Sequence, residues 1–464
     1  MVPQAGRKTG LLMVLTAGLC ACQSTERRTA SDPHLHGQKP SMRPVAATEG
    51  DSETLNRARP DGRPASFGLA SSGPVGVDAL LAVALERSPR VGVLRATGER
   101  SRARADQESL WPNPTLLGRL MEVPINDGNF GRGQKLVGLG QELPLGGRIG
   151  AARDVEQQVR SRNKTELELM RLELRAELAA RVARTVSLRE RATTLRRLKV
   201  ELAELAELAA RRKALGALKE SLVLDIRLET ERLALQLEQA DAELLSTLSG
   251  FRATLGATPV PVDRLVDADR ADRPLAPLNA LALRPLLEGD NPHHRLHRER
   301  AEVARRRLDL ELTRRYPDLG LQVLAGRSTD EDETLVAATV SLPLPIFDRN
   351  QGAIAAARAE LRRSRRSASH HDLELAADFE IEIRARETAR RRLEGLADRL
   401  EPAARRRQEL ARASWEAGHG ELARVLNTWR ELAAIRLEKH DARLAARLAR
   451  ARLTHLIGPL PSGS

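Results

Sequence analysis

The side chains best suited to chemistry in this chain are histidines in two tight groups, His293, His294 and His297, then His370 and His371. Imidazoles in such proximity are the donors of transition-metal sites. Both groups fall in Arg-rich helical patterns without a nearby Cys or a clear arrangement of carboxylates, so solvent-facing histidine is the expectation, and neither a metal site nor a cofactor is assigned. Gly131 and Gly133 frame an arginine between two strand-like stretches with no helix N-terminus behind them, which is turn chemistry and not a phosphate loop. No Ser/His/Asp, Cys/His or paired-carboxylate set rises above the background of a chain with 30% charged residues. Catalysis is therefore not expected.

The two cysteines, Cys20 and Cys22, both lie near the N-terminus, so the rest of the chain has no disulfide, no thiol nucleophile and no cysteine metal site. Arg7 and Lys8 precede LLMVLTAGLCAC, an apolar run too short for an ordinary membrane span, and the pattern is that of an export signal. Its end, Leu19-Cys20-Ala21-Cys22, resembles a bacterial lipoprotein box with a small residue before the acceptor. That makes Cys22 the expected lipidation site, with a cleaved export signal without lipid as the alternative. Cys20 fits less well behind Leu19, and Gln23 stands where an Asp would resemble an inner-membrane retention signal, so the outer membrane is the expected destination. Residues 1–22 form the signal and lipobox, and 23–76, rich in Ser, Pro, Gly, Arg and Asp without a period, form a flexible tether.

With 2% aromatic residues the chain is poorly equipped for a large spherical core and well equipped for long amphipathic helices. The net charge of +13 arises from Arg interleaved with Glu at helical spacing, as in RLELRAELAARVAR over 171–184, which describes solvated helix faces. A nucleic-acid partner is not expected.

The organising feature is a repeated plan. SLPLPIFDRNQGAIAAARAE (341–360) combines an apolar strand, a proline-marked turn and a helix start, and ELPLGGRIGAARDVE (142–156) has the same order. Gly150 and Gly216 stand 66 positions apart, as do Gly352 and Gly418; Gly216 to Gly256 and Gly418 to Gly458 are both 40. An internal duplication is expected, with repeats at 77–262 and 263–458 and a tail at 459–464. Each repeat carries a β-hairpin, at 115–145 (strands 115–123 and 135–145) and at 319–344 (strands 319–327 and 335–344). Val336, Ala338, Val340, Leu342 and Leu344 alternate onto one face, whereas Arg119 and Glu122 blur the pattern of the first hairpin. A helical stretch of about 100 Å follows each hairpin at 1.5 Å per residue. Leu195, Leu198, Leu202, Leu205 and Leu208, and likewise Leu422, Val425, Trp429, Leu432 and Ile435, mark coiled-coil seams. Each helix turns near its glycine and returns as an antiparallel hairpin.

Beyond the signal no stretch approaches 18 consecutive apolar residues, so insertion into a membrane must use strands. Four strands cannot close, and an open edge in lipid costs several kcal/mol for each unpaired backbone group. The barrel is therefore expected to be shared between chains. Trp111 and Tyr316 stand at matching strand starts, where rings sit at a membrane interface; core packing is the alternative.

Between 77 and 458 the chain resembles the TolC-type outer-membrane efflux proteins, especially the branch that serves heavy-metal cation pumps of the RND type. LPLGGRIGAAR (143–153), SLPLPIFDRNQGAIAAARAEL (341–361), and the tips KALGALKES and ASWEAGHGEL carry the resemblance. It implies a mainly α fold with a small β part, in which long helical hairpins form an α-barrel and four strands per chain join a shared trimeric transmembrane β-barrel. It also implies a homotrimer in outer-membrane lipid, extending into the periplasm, partnered by a periplasmic adaptor (membrane fusion protein) and an inner-membrane transporter. The implied adaptor-docking and gating tips are Leu215, Gly216, Ala217 and Ser221, with Ala417, Gly418, His419 and Gly420. Some relatives place an Asp six positions after the second tip glycine, where this chain has Arg424, with Leu222 in the other half. The expected function is the exit duct of a tripartite efflux pump for heavy-metal cations. A small-molecule duct of the same fold and a secreted coiled-coil protein are the alternatives.

Overall fold

The computed structural model describes residues 73–122, 133–215, 218–256, 258–267, 275–328 and 333–460. The chain divides into the units Met1–Ala65 and Ser66–Ser464, and everything described belongs to the second. The export signal, Cys22 and the tether up to residue 72 lie outside the described residues, as do most of both hairpin turns.

Helix α1 (Val77–Arg87) stops at Ser88, and Pro89 opens α2 (Pro89–Glu108), where a missing N–H costs nothing. The stretch Trp111-Pro112-Asn113-Pro114 then forces the chain out of helix into β1 (Thr115–Met121) and β2 (Gln134–Leu143). Later in the chain come β3 (Leu319–Ser328) and β4 (Glu333–Ser341), and the four form one antiparallel sheet in the order β1-β2-β3-β4. Strands β2 and β4 end two to three residues earlier than the apolar pattern predicts. Pro144 and Pro343 follow them closely and have no N–H to give a ladder, so Leu145, Leu342 and Leu344 stand outside the sheet. Val336, Ala338 and Val340 do share one exposed face, as predicted.

Register explains how the sheet meets its surroundings. Leu116, Leu139, Val323 and Ala338 form one cross-strand row, and Gly118, Val137, Ala325 and Val336 form the next, all exposed on the same face. Leu120, Lys135, Arg327 and Thr334 form the row beyond, polar at every position except Leu120. The Arg119 that blurred the sequence pattern points to the opposite face, where its Nη2 lies 3.5 Å from Gln322 Oε1. Gly138 and Gly326 leave no room for a side chain between β2 and β3: a Cβ would sit 2.0 Å from the Val323 carbonyl oxygen at the first and 1.8 Å from that of Lys135 at the second. Such glycines permit the tight coiling that a sheet needs to become part of a barrel wall.

The helices are long. α3 (Arg148–Ala214) is unbroken over 67 residues, and α4 (Glu220–Leu255) returns along it. After α5 (Ala280–Glu288) and α6 (Pro292–Thr313), α7 (Gln351–Glu394) continues through a π-helical turn, Gly395–Leu400, into α8 (Glu401–Glu416), and α9 (Leu422–Ile457) returns. The π turn is absent from the sequence expectation of one continuous helix. Pro402 cannot supply the N–H that the Asp398 carbonyl would receive in an α-helix, and a widened turn accommodates this. Near the sheet α3 packs between α2 and α6, with α7 beyond; toward the tips it packs between α4 and α9, with α8 beyond. The element order α-α-β-β-long helix-return helix occurs twice along the chain.

Apolar burial occurs in small clusters strung along the helices. The largest joins Leu195, Leu198, Leu202 and Leu205 of α3 to Leu422, Val425 and Trp429 of α9 and to Ile226 and Leu233 of α4. Eight of the ten seam residues are buried as predicted; Leu208 is only partly so because Ala209 occupies the contact instead, and Ile435 packs at the edge of a neighbouring cluster. Midway along the layer Arg447 of α9 is buried. It donates to Ser187 Oγ at 3.0 Å and to Glu190 Oε1 at 3.2 Å, and its Nε lies 2.9 Å from Asp267 Oδ2. Burial alone would raise the Glu190 carboxyl, but His440 and the Arg447 guanidinium outweigh it and hold the pKa down at about 2.

Candidate functional site

Two regions gather the residues singled out by chemistry or by resemblance. The first is the pair of helical tips. Among the described tip residues, Leu215, Ser221, Ala417, Gly418, His419 and Arg424 are all exposed, Leu215 at 83%, while Gly420 is half-buried. Gly216 and Ala217 lie outside the described residues. The second tip ends α8 in a Schellman turn: Gly418 takes φ +85°, its N–H donates to the Trp415 carbonyl at 3.0 Å, and the His419 N–H donates to the Ser414 carbonyl at 3.0 Å. Only glycine adopts that φ without strain, which is the physical reason for the residue there.

The two tips are tied together by a contact that the sequence did not reveal. Arg212, in the last turn of α3, donates to the carbonyls of Trp415 at 2.7 Å and Glu416 at 2.9 Å, and its guanidinium carbon lies 4.3 Å from the centre of the Trp415 ring. A cation at the end of α8 satisfies carbonyls that have no helical partner and opposes the helix dipole. Lys213 bonds Glu220 at 3.0 Å across the first tip. Arg424 is exposed and has no carboxylate partner among the described residues. Trp111 and Tyr316 stand where each helical run gives way to a strand, both 60% exposed, and the Tyr316 ring lies where a Cβ on Gly146 would meet it.

The second region corrects the expectation of solvent-facing histidines for all but His370, whose side chain is 71% exposed. The antiparallel packing of α6 on α7 brings the two histidine groups together, and the end of α9 adds a further imidazole, His455. His293 is 8% exposed. Its ring lies 5.9 Å from that of His371 and 4.9 Å from that of His455, and the His297 and His371 rings stack at 3.9 Å. The approach is set by Asn291, which caps α6 through the His293 N–H at 2.9 Å and donates to the Leu456 carbonyl at 2.8 Å. Burial pushes His293 and His297 down to about 4 and also lowers His371 and His455, so the cluster is neutral at neutral pH. In this arrangement no three His, Cys, Asp or Glu side chains among the described residues converge on a metal position.

No helix among the described residues is long and apolar enough to cross a membrane. The fold is a four-stranded, open-edged antiparallel sheet with one apolar exposed face, joined to helical runs about 100 Å long. Residues 288–459 match the family of outer membrane efflux proteins. Over 378 residues it is 24% identical to the cobalt-zinc-cadmium resistance protein CzcC of Cupriavidus metallidurans, covering 80% of this chain and 87% of that protein. Its fold matches the outer membrane protein VceC of Vibrio cholerae with a TM-score of 0.67 at 16% identity, covering 82% of this chain and 96% of VceC. It also matches the channel protein CusC with a TM-score of 0.65 at 15% identity, covering 85% and 98%.

Proposed function

We propose that three copies of this chain close into the exit duct of a tripartite pump, in which a periplasmic adaptor docks on the tips and an inner-membrane RND-type transporter supplies heavy-metal cations. The observation that carries this reading is the pair of unpaired edges in both layers. Strands β1 and β4 each have one free side, and α4 and the α7–α8 run flank the helical layer with exposed Leu224, Leu228 and Leu235 on one side and Ile381, Leu400 and Leu410 on the other. Opposite edges that differ from each other suit head-to-tail ring closure. The cargo class comes from the relative named for cobalt, zinc and cadmium resistance. Arg424 at the tip supports a gate that is not an acidic, cation-binding constriction.

Removal of the chain from its host is expected to sensitise cells to cobalt, zinc and cadmium while leaving drug tolerance unchanged. Drug sensitivity alone would favour the small-molecule duct, and unchanged tolerance of both classes would contradict the pump reading. The same reading includes a lipid anchor at Cys22. Fatty-acid labelling is expected to vanish in a Cys22→Ser variant, and label that persists there would remove the anchor from the account.

A further inference from the structure

We infer that the imidazoles of His293, His297 and His371, with His455 adjoining, form a binding site for a divalent transition-metal cation within the helical wall between α6, α7 and α9. The inference is independent of the cargo carried by the duct. His293 and His297 are one helical turn apart on α6, the i, i+4 spacing at which two imidazoles on one helix face chelate one ion. His371 enters from α7, its ring 5.9 Å from the first ring and 3.9 Å from the second.

The hydrogen-bond pattern selects which nitrogens are free. The carbonyl of His455 accepts from His293 Nε2 at 3.0 Å, so the lone pair of that ring is on Nδ1. His371 Nδ1 faces Glu374 Oε2 across 3.9 Å, whereas its Nε2 is buried without a hydrogen-bond partner. His455 Nδ1 is likewise buried and unpartnered. A ring with one nitrogen turned toward a carbonyl or carboxylate and the other left open is the arrangement of a metal-ligating histidine. Orphaned buried nitrogens are also what an absent ion or water explains. The rings now stack instead of converging, and rotation about their χ angles between staggered wells is the change that binding requires. Imidazole donors without thiolate suit zinc and its first-row neighbours.

The test is calorimetric titration of zinc chloride into the tag-free, full-length protein in mild detergent. One zinc ion per chain is expected. The double variant His297→Ala/His371→Ala is expected to bind at least about tenfold more weakly, and His370→Ala, whose ring is exposed on the same helix, to bind as the parent does. Circular dichroism establishes that the double variant retains its helix. If it does not, substitution of cobalt(II) into the unaltered protein replaces the comparison: an intense visible d–d band reports a nitrogen-rich site of low coordination number. Absence of both zinc binding and that band in the unaltered protein overturns the inference, as does undiminished stoichiometric binding by a folded double variant.

Discussion

A Gly418→Trp variant is expected to insert into the outer membrane normally and to lose pump-dependent resistance. The second tip is separated from the strands by the run α7, π turn and α8, which at 1.5 Å per residue extends about 100 Å. Within the chain the space beside Gly418 is open, so a large side chain projects outward, where the adaptor is proposed to sit. Backbone strain is the competing cause, because φ +85° costs a side-chain-bearing residue about 1–3 kcal/mol. Gly418→Ala separates the two, carrying the strain without the bulk, and is expected to retain resistance. Membrane fractionation reports insertion, cross-linking to the adaptor reports docking, and survival on the exported toxin reports function. Normal docking and full resistance in the tryptophan variant would remove the tips from the mechanism. Failure to insert in both variants would assign Gly418 to folding.

The second large effect concerns the sheet. Val323 lies in the apolar row between Leu139 and Ala338, on the exposed apolar face of the sheet. Val323→Arg is expected to cost about 2–4 kcal/mol per chain if that row lies at the bilayer midplane, tripled in a three-chain barrel, and to deplete the protein from the outer-membrane fraction. Thr339 of β4 faces the other way, opposite Gln322, and Thr339→Arg is expected to insert. Equal insertion of the two variants would mean that the face is not lipid-exposed.

The strand faces were readable because a period of two survives in Val336, Ala338 and Val340, and the seams because leucines recur at three and four. Arg119 misled only until its register was known: an odd position in β1 belongs to the covered face, and one residue of register reverses every side chain. The strand ends were overrun because apolar alternation continues through Pro343 to Leu344 although the hydrogen-bond ladder cannot. The Arg212 clamp and the histidine cluster were not legible for a different reason. Their partners lie on other helices, and in a chain this rich in Arg nothing local distinguishes Arg212 from Arg211. His293, His297 and His371 became neighbours only through the pairing of α6 with α7, which periodicity does not specify. The π turn at Gly395–Leu400 had a local cue in Pro402, but the apolar pattern on either side reads as one helix.

Three copies of this chain are proposed to close one barrel, and the number of chains in the detergent-solubilised particle decides whether they do. Light scattering on the full-length protein in mild detergent, corrected for bound detergent, is predicted to give three chains. A stable, folded monomer would contradict the account, because the free sides of β1 and β4 would then need no neighbour.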